Sequence, residues 1–169
     1  MNKKQMDLLA EFYLKVDTEV ALLSKIHRTR LQCRRGCFQC CVDDLSVFTI
    51  EADNICHHFP QILSKGIPYK KDACALLDPE GACRIYEQRP YVCRTQGLPL
   101  RWYSENPGEK NIELRDICPL NETGTPLLEI PAGQIWLIGP SEGKLAGLQE
   151  NYDKGRMQRV KLRTLFDKK

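Results

Sequence analysis

Eight cysteines are the residues of this chain best suited to chemistry. Cys33, Cys37, Cys40 and Cys41 fall in a nine-residue stretch, and Cys74, Cys83, Cys93 and Cys118 are spread over the next segment. Four and four is the arithmetic of tetrahedral thiolate coordination, of zinc or of an iron–sulfur cluster. The first block, C-x3-C-x2-C-C, lets one turning loop aim several sulfurs inward, and four cysteines so close are no accident of composition. The second block has single cysteines at wide spacing, which by itself says little. Zinc ribbons present two C-x2-C steps and this chain has one, Cys37 to Cys40, which favours an iron–sulfur cluster over Zn2+. One shared centre with fewer than eight ligands is the alternative arrangement.

A disulfide framework fits less well. The cysteine count is nine, an odd number, and the vicinal pair Cys40–Cys41 is poorly disposed to bridge itself. No secretory signal is legible in Met1–Phe12, where acids interrupt the apolar residues. No apolar run approaches the roughly 20 residues that cross a bilayer. The expected location is cytoplasmic, where clustered cysteines are more often ligands than disulfides.

The formal net charge is +3, a sum that counts every cysteine as neutral. Two filled four-thiolate sites, each near −2, would bring it to roughly −1. Arg34, Arg35, Arg84 and Arg94 stand beside cysteines, and cations there favour the thiolate. The basic excess therefore needs no nucleic acid, and none is expected as a partner.

The elements that must position these sulfurs follow from periodicity. Lys3 to about Leu31 reads as one helix, with Met6, Leu9, Tyr13, Val16, Val20 and Leu23 on one stripe, widened by Leu8, Phe12, Leu22 and Ile26. The stripe packs on its own domain or forms a dimer seam. His27, facing it, reads as a packing residue. The first cysteine block leaves the end of this helix. Thr49 caps a second helix to about His58, Pro60 restarts it and Gly66 ends it. Ala73–Leu77 and Ala82–Tyr86 read as short extended pieces about a turn at residues 78–81, Arg89-Pro90 opens a turn or helical start, and Gly97–Tyr103 reads as a strand. Asn106–Lys110 is a surface loop and Cys118–Pro131 is irregular. Ser141 caps a helix to about Tyr152, and Arg156–Phe166 is a last, basic helix. The expected fold is mainly α with irregular cysteine-bearing loops and at most a small β element, a single metal-stabilised domain. Residues 1–32 form its N-terminal helix, 33–118 the cysteine-cluster domain, and 119–169 a C-terminal helical extension packed on it.

The segment from Cys83 to Arg94, CRIYEQRPYVCR, following the Cys33–Cys41 block, resembles the YkgJ-like cysteine-cluster (CxxCxxCC) family of zinc- or iron-chelating domains. The resemblance spans about Cys33 to Cys118. It implies that Cys33, Cys37, Cys40, Cys41, Cys74, Cys83, Cys93 and Cys118 are the ligand set, with Cys56 outside it. Members often carry glycine where this chain has Phe38, which a left-handed backbone there would strain. A relative sharing the motif is a flagellin lysine N-methylase, so an enzyme is the alternative to a redox or structural metal protein.

Other signals carry less. Cys33-x3-Cys37-x2-Cys40 matches the radical S-adenosylmethionine spacing, but Gln39 replaces the usual aromatic and the chain is short for that barrel. His57 and His58 read as exposed. Asp43-Asp44 is a polar turn or, less simply, a base. Residues 139–143 lack the phosphate-loop pattern. Lys154, Arg156, Arg159, Lys161, Arg163, Lys168 and Lys169 read as a solvated face, and the terminal helices as the surface for any protein partner.

Overall fold

The computed structural model describes residues 1–104 and 112–167. The surface-loop reading of Asn106–Lys110 and the two terminal lysines lie outside these residues.

α1 (Lys3–Ile26) opens the chain through a capping box in which the Asn2 side chain and Gln5 satisfy each other's backbone N–H. It stops five residues short of the expected Leu31. His27 caps the last turn, and Arg30 N–H and Leu31 N–H both turn back to the His27 carbonyl. The expected stripe is half right: Leu9, Phe12, Tyr13 and Val16 are buried, whereas Leu8, Leu22 and Ile26 are exposed.

β1 (Ser46–Phe48) leads into α2 (Thr49–His58) and α3 (Pro60–Lys65), the latter begun by proline and ended at Gly66 as its sequence requires. Thr49 is the first helical residue of α2 and not its cap. The cap comes from far away: the Gln149 side chain accepts from Ile50 N–H at 3.0 Å and donates to Thr49 Oγ1 at 2.7 Å. Extended pieces are expected at 73–77 and 82–86, but the chain forms only an isolated bridge, Leu77 to Cys83.

α4 (Tyr91–Arg94) follows Pro90, and β2 (Leu100–Tyr103) pairs antiparallel with β3 (Glu113–Asp116) and parallel with β4 (Trp136–Leu137). β4 runs directly into α5 (Ile138–Asp153), so Ser141 lies buried inside the helix instead of capping it. The expected basic C-terminal helix is a correction. Lys154 adopts the left-handed conformation and ends α5, and the chain returns as β5 (Arg159–Lys161), antiparallel to β1, before a 3-10 turn over Leu162–Phe166. Alternation decides this: Val160 faces inward between the exposed Arg159 and Lys161, a period of two. The fold is therefore a mixed one, helices with two small sheets.

Two cores result, and α2 contributes to both. Ile50 joins Leu9, Phe12, Tyr13, Val16, Tyr91, Trp136 and Leu145 in the core under α1. Ala52 and Ile55 join Ala75, Leu76, Leu77, Ile85, Leu162, Leu165 and Phe166 in the other, which also holds Cys74. Each fully buried Leu or Ile contributes about 1.5–3 kcal/mol through removal from water. Glu51, on the same helix, is buried at the seam, accepting from Tyr13 Oη at 3.0 Å and Tyr91 N–H at 2.7 Å. Burial pushes its carboxyl above the usual range. Among the described residues no helix is long and apolar enough to cross a membrane.

Candidate metal centre

Among the described residues none of the eight cysteines is in a disulfide. The early loop turns three times in succession, with Cys37 N–H bonded to the Arg34 carbonyl, Cys41 N–H to Phe38 and Val42 N–H to Cys40. The left-handed step falls on Gly36, at φ +82°, and not on Phe38, so the phenyl ring sits without backbone strain.

The later cysteines come to this loop. Cys74 N–H donates to the Cys41 carbonyl at 2.9 Å. Arg163 holds that junction, donating to the carbonyls of Tyr69, Lys70 and Ala73 and pairing with Asp43. Asp43 therefore anchors a loop, and Asp44 forms an exposed pair with Lys161. At the other end of the loop, Gln32 N–H donates to Asn121 Oδ1 at 2.8 Å. Asn121 Nδ2 in turn donates to the Gly97 carbonyl at 2.7 Å and reaches Cys33 Sγ at 3.4 Å.

Asn121 is fully buried, and sequence reasoning missed it, since a lone asparagine in an irregular stretch carries no spacing signal. The same holds for Gly97, whose φ is +95° and whose Cβ, were there one, would stand 2.5 Å from Cys33 Sγ. Only glycine lets the backbone come that close to the sulfur. Arg163 reads in the sequence as part of a solvated face, because its carbonyl partners are contiguous only in space.

Electrostatics divides the sulfurs into two groups. The Cys33 thiol is pushed up by burial, against the Asn121 hydrogen bond, and further by Cys37, Cys118 and Cys40. The thiols of Cys74 and Cys83 are raised by burial, while hydrogen bonds from Leu76 and Ile85 N–H, each two residues on, favour their thiolates. Cys93 is raised by burial and then by Cys74, Cys83, Glu51 and Cys40. Cys41 donates its S–H to Cys40, holding the Cys40 thiol below its ordinary value and Cys41 above its own, and Cys41 also feels Cys74 and Cys93. Cys33 thus feels Cys37, Cys118 and Cys40, and Cys93 feels Cys74, Cys83 and Cys40. Cys40 touches both.

The groups differ in surroundings. Cys33 and Cys40 are exposed and Cys37 and Cys118 half-buried, whereas Cys74 is buried and Cys41, Cys83 and Cys93 are half-buried. A groove of about 460 Å³ runs beside the exposed group, lined by Gln32, Arg34, Arg35, Cys37, Phe38 and Leu120. The neighbouring cations expected to serve the thiolates mostly do other work. Arg94 turns away to Asp17 at 2.5 Å and lies 3.8 Å over the Tyr13 ring. Arg84 donates to the Ala75 and Ile67 carbonyls. Of the histidines, His57 and His58 are exposed and in ring contact with each other, and His27 is buried with its Nε2 on the Gln134 carbonyl. Cys56 packs against the core that holds Cys74.

Among the described residues, no three His, Cys, Asp or Glu side chains stand close enough together to hold a metal ion as placed. The donor set nonetheless suits one. Buried thiols that raise one another's proton affinity and accept backbone N–H bonds are sites where a cation replaces protons and draws the sulfurs in.

The model of the CxxCxxCC family, described as a putative zinc- or iron-chelating domain, matches residues 32–119, just over half of the chain. Neither a curated protein nor a solved structure matches it. Asn121 and Arg163 lie outside the matched residues.

Proposed function

We propose a function from one premise: the chain belongs to the CxxCxxCC family of zinc- or iron-chelating domains. It is a metal protein with two four-thiolate centres, a buried one on Cys41, Cys74, Cys83 and Cys93 and an open one on Cys33, Cys37, Cys40 and Cys118. The observation that carries this reading is that the later segments meet the early cysteine loop at both its ends, Cys74 N–H on the Cys41 carbonyl and Asn121 on Gln32 and Cys33. A cluster or Zn2+ bound there supplies a compact positive charge that balances four thiolates, and iron adds one-electron chemistry.

The chain's own groups hold and tune the sulfurs. Asn121 donates to Cys33, and the backbone at Leu76 and Ile85 favours the thiolates of Cys74 and Cys83. Such outer partners fix ligand orientation and set ligand basicity. With every ligand a cysteine, the buried centre suits scaffolding or electron storage better than Lewis-acid chemistry. The single C-x2-C step favours iron–sulfur. The groove beside the open centre supports a second reading, an enzyme whose substrate lies against Arg34, Arg35 and Cys37.

Anaerobic purification with iron, sulfide and zinc analysis tests this. The expected result is a broad absorption near ~400 nm from sulfur-to-iron charge transfer. A colourless protein with two zinc ions per chain keeps the two centres and removes the iron assignment. Cys56→Ser should retain the full metal content, while a folded protein that takes up neither metal rejects the reading.

A further inference from the structure

We propose that the cavity at the C-terminal end of α1 binds a small organic anion, a carboxylate or phosphate on a short carbon skeleton. The cavity measures about 330 Å³, at the small end of the range for metabolite pockets. Its lining includes Ile26, His27, Arg30, Thr123, Thr125 and Ile130, and no Asp or Glu.

The charge balance there is unusual for this molecule. Arg30 is 7% exposed and Arg94 is 5% exposed. Arg94 has the Asp17 carboxylate at 2.5 Å. Arg30 has the Thr125 carbonyl at 2.8 Å, which accepts a hydrogen bond and neutralises nothing. Among the described residues no carboxylate comes within 4.0 Å of it. A guanidinium withdrawn from water without a counter-charge is costly unless an anion joins it, and its planar fork matches carboxylate and phosphate oxygens.

The surroundings fit that use. His27 is 5% exposed and its Nε2 donates to the Gln134 carbonyl at 2.6 Å, which fixes the ring in the cavity wall. Thr29, Thr123 and Thr125 also line the space, with Ile26, Ile130 and Pro131 as an apolar side for a carbon skeleton. The α1 terminus opposes an anion, but with roughly half a charge against the full charge of Arg30. His27 N–H already occupies the Leu23 carbonyl. The cavity adjoins the segment that leads through Gln32 and its Asn121 bond to Cys33, and the proposal stands whether or not the cysteines hold metal.

Calorimetric titration of the full chain, as purified, with inorganic phosphate, succinate and the neutral 1,4-butanediol tests it. At least one anion should bind with Kd below about 1 mM, a threshold of modest small-ligand affinity, and the diol should not. Arg30→Gln should weaken binding at least ~10-fold and Arg30→Lys less, because the ammonium keeps the charge and loses the fork. Thr123→Val and amide shifts at His27 and Thr125 locate the site should the Arg30 variants not fold. Binding by neither anion, equal binding by the diol, an unchanged Arg30→Gln, or shifts confined to other residues overturns the proposal.

Discussion

Cys33 and Cys40 stand exposed on a tight loop, with a groove and two arginines beside them, whereas Cys74 lies among Ala75, Leu76, Leu77 and Ile85 in a packed core. The donor atoms are the same in both groups. What differs is how the protein holds them. The early group is fastened from one side, by a buried asparagine that touches a sulfur. The later group is fastened by hydrophobic packing and by an arginine that gathers three carbonyls. The contrast teaches that the same side chain, a cysteine, meets different solvent access and different fastening according to the segment that carries it.

Removing a ligand from each side breaks the comparison most sharply. Cys93→Ser should abolish soluble protein or leave a chain that melts without cooperativity, since structural metal binding contributes on the order of 10 kcal/mol to folding. Cys33→Ser should leave a folded protein with about half the metal, the share of one four-thiolate centre in two. Thermal melts with metal analysis check both, and equal damage from the two substitutions would remove the distinction.

The fasteners come next. Arg163→Met should destabilise by about 2–4 kcal/mol, because three carbonyls and Asp43 lose a partly buried charged donor. Asn121→Ala should destabilise by about 1–3 kcal/mol, and it alone should speed metal transfer from the open centre to a chelator. Stopped-flow chelation with denaturant titration separates the two effects.

The smallest effect is one of pH. Burial raises the thiols of Cys74, Cys83 and Cys93 in the enclosed group and of Cys33 in the open one, so they keep their protons to higher pH than free thiols, while Cys41 holds Cys40 lower. A metal must displace each bound proton, so acid competes harder at the enclosed group, where every thiol holds its proton, than at the open group, where Cys40 gives its proton up sooner. As pH falls from about 8 to 6, affinity there should drop more steeply, approaching four decades per pH unit for four protonated thiols, than at the open group. Competition titrations in the Cys33→Ser and wild-type proteins measure both slopes, and the reverse order contradicts the assignment of surroundings.

Much of this was legible in residue order where the signal is local. The α1 stripe, the proline that begins α3, the helical start after Pro90 and the turning loop at Cys33–Cys41 all depend on neighbours within a few residues. The misreadings share a cause. Thr49 was expected to cap α2, but Gln149, a hundred residues on, takes that place. The basic run at 156–166 was expected to be a helix, and pairing with Ser46–Phe48 makes it a strand followed by a 3-10 turn. Local propensity for these short segments is weak, and a distant partner outweighs it.

By itself the chain's order of residues determined that eight sulfurs occur in two blocks, that one block turns tightly, and that the family is CxxCxxCC. Only tertiary structure decided which sulfurs are enclosed and which are open, and that Asn121, Gly97 and Arg163 serve them. The reason is physical: burial and hydrogen-bond partnership are properties of groups brought together across tens of residues, and spacing along a chain does not encode them.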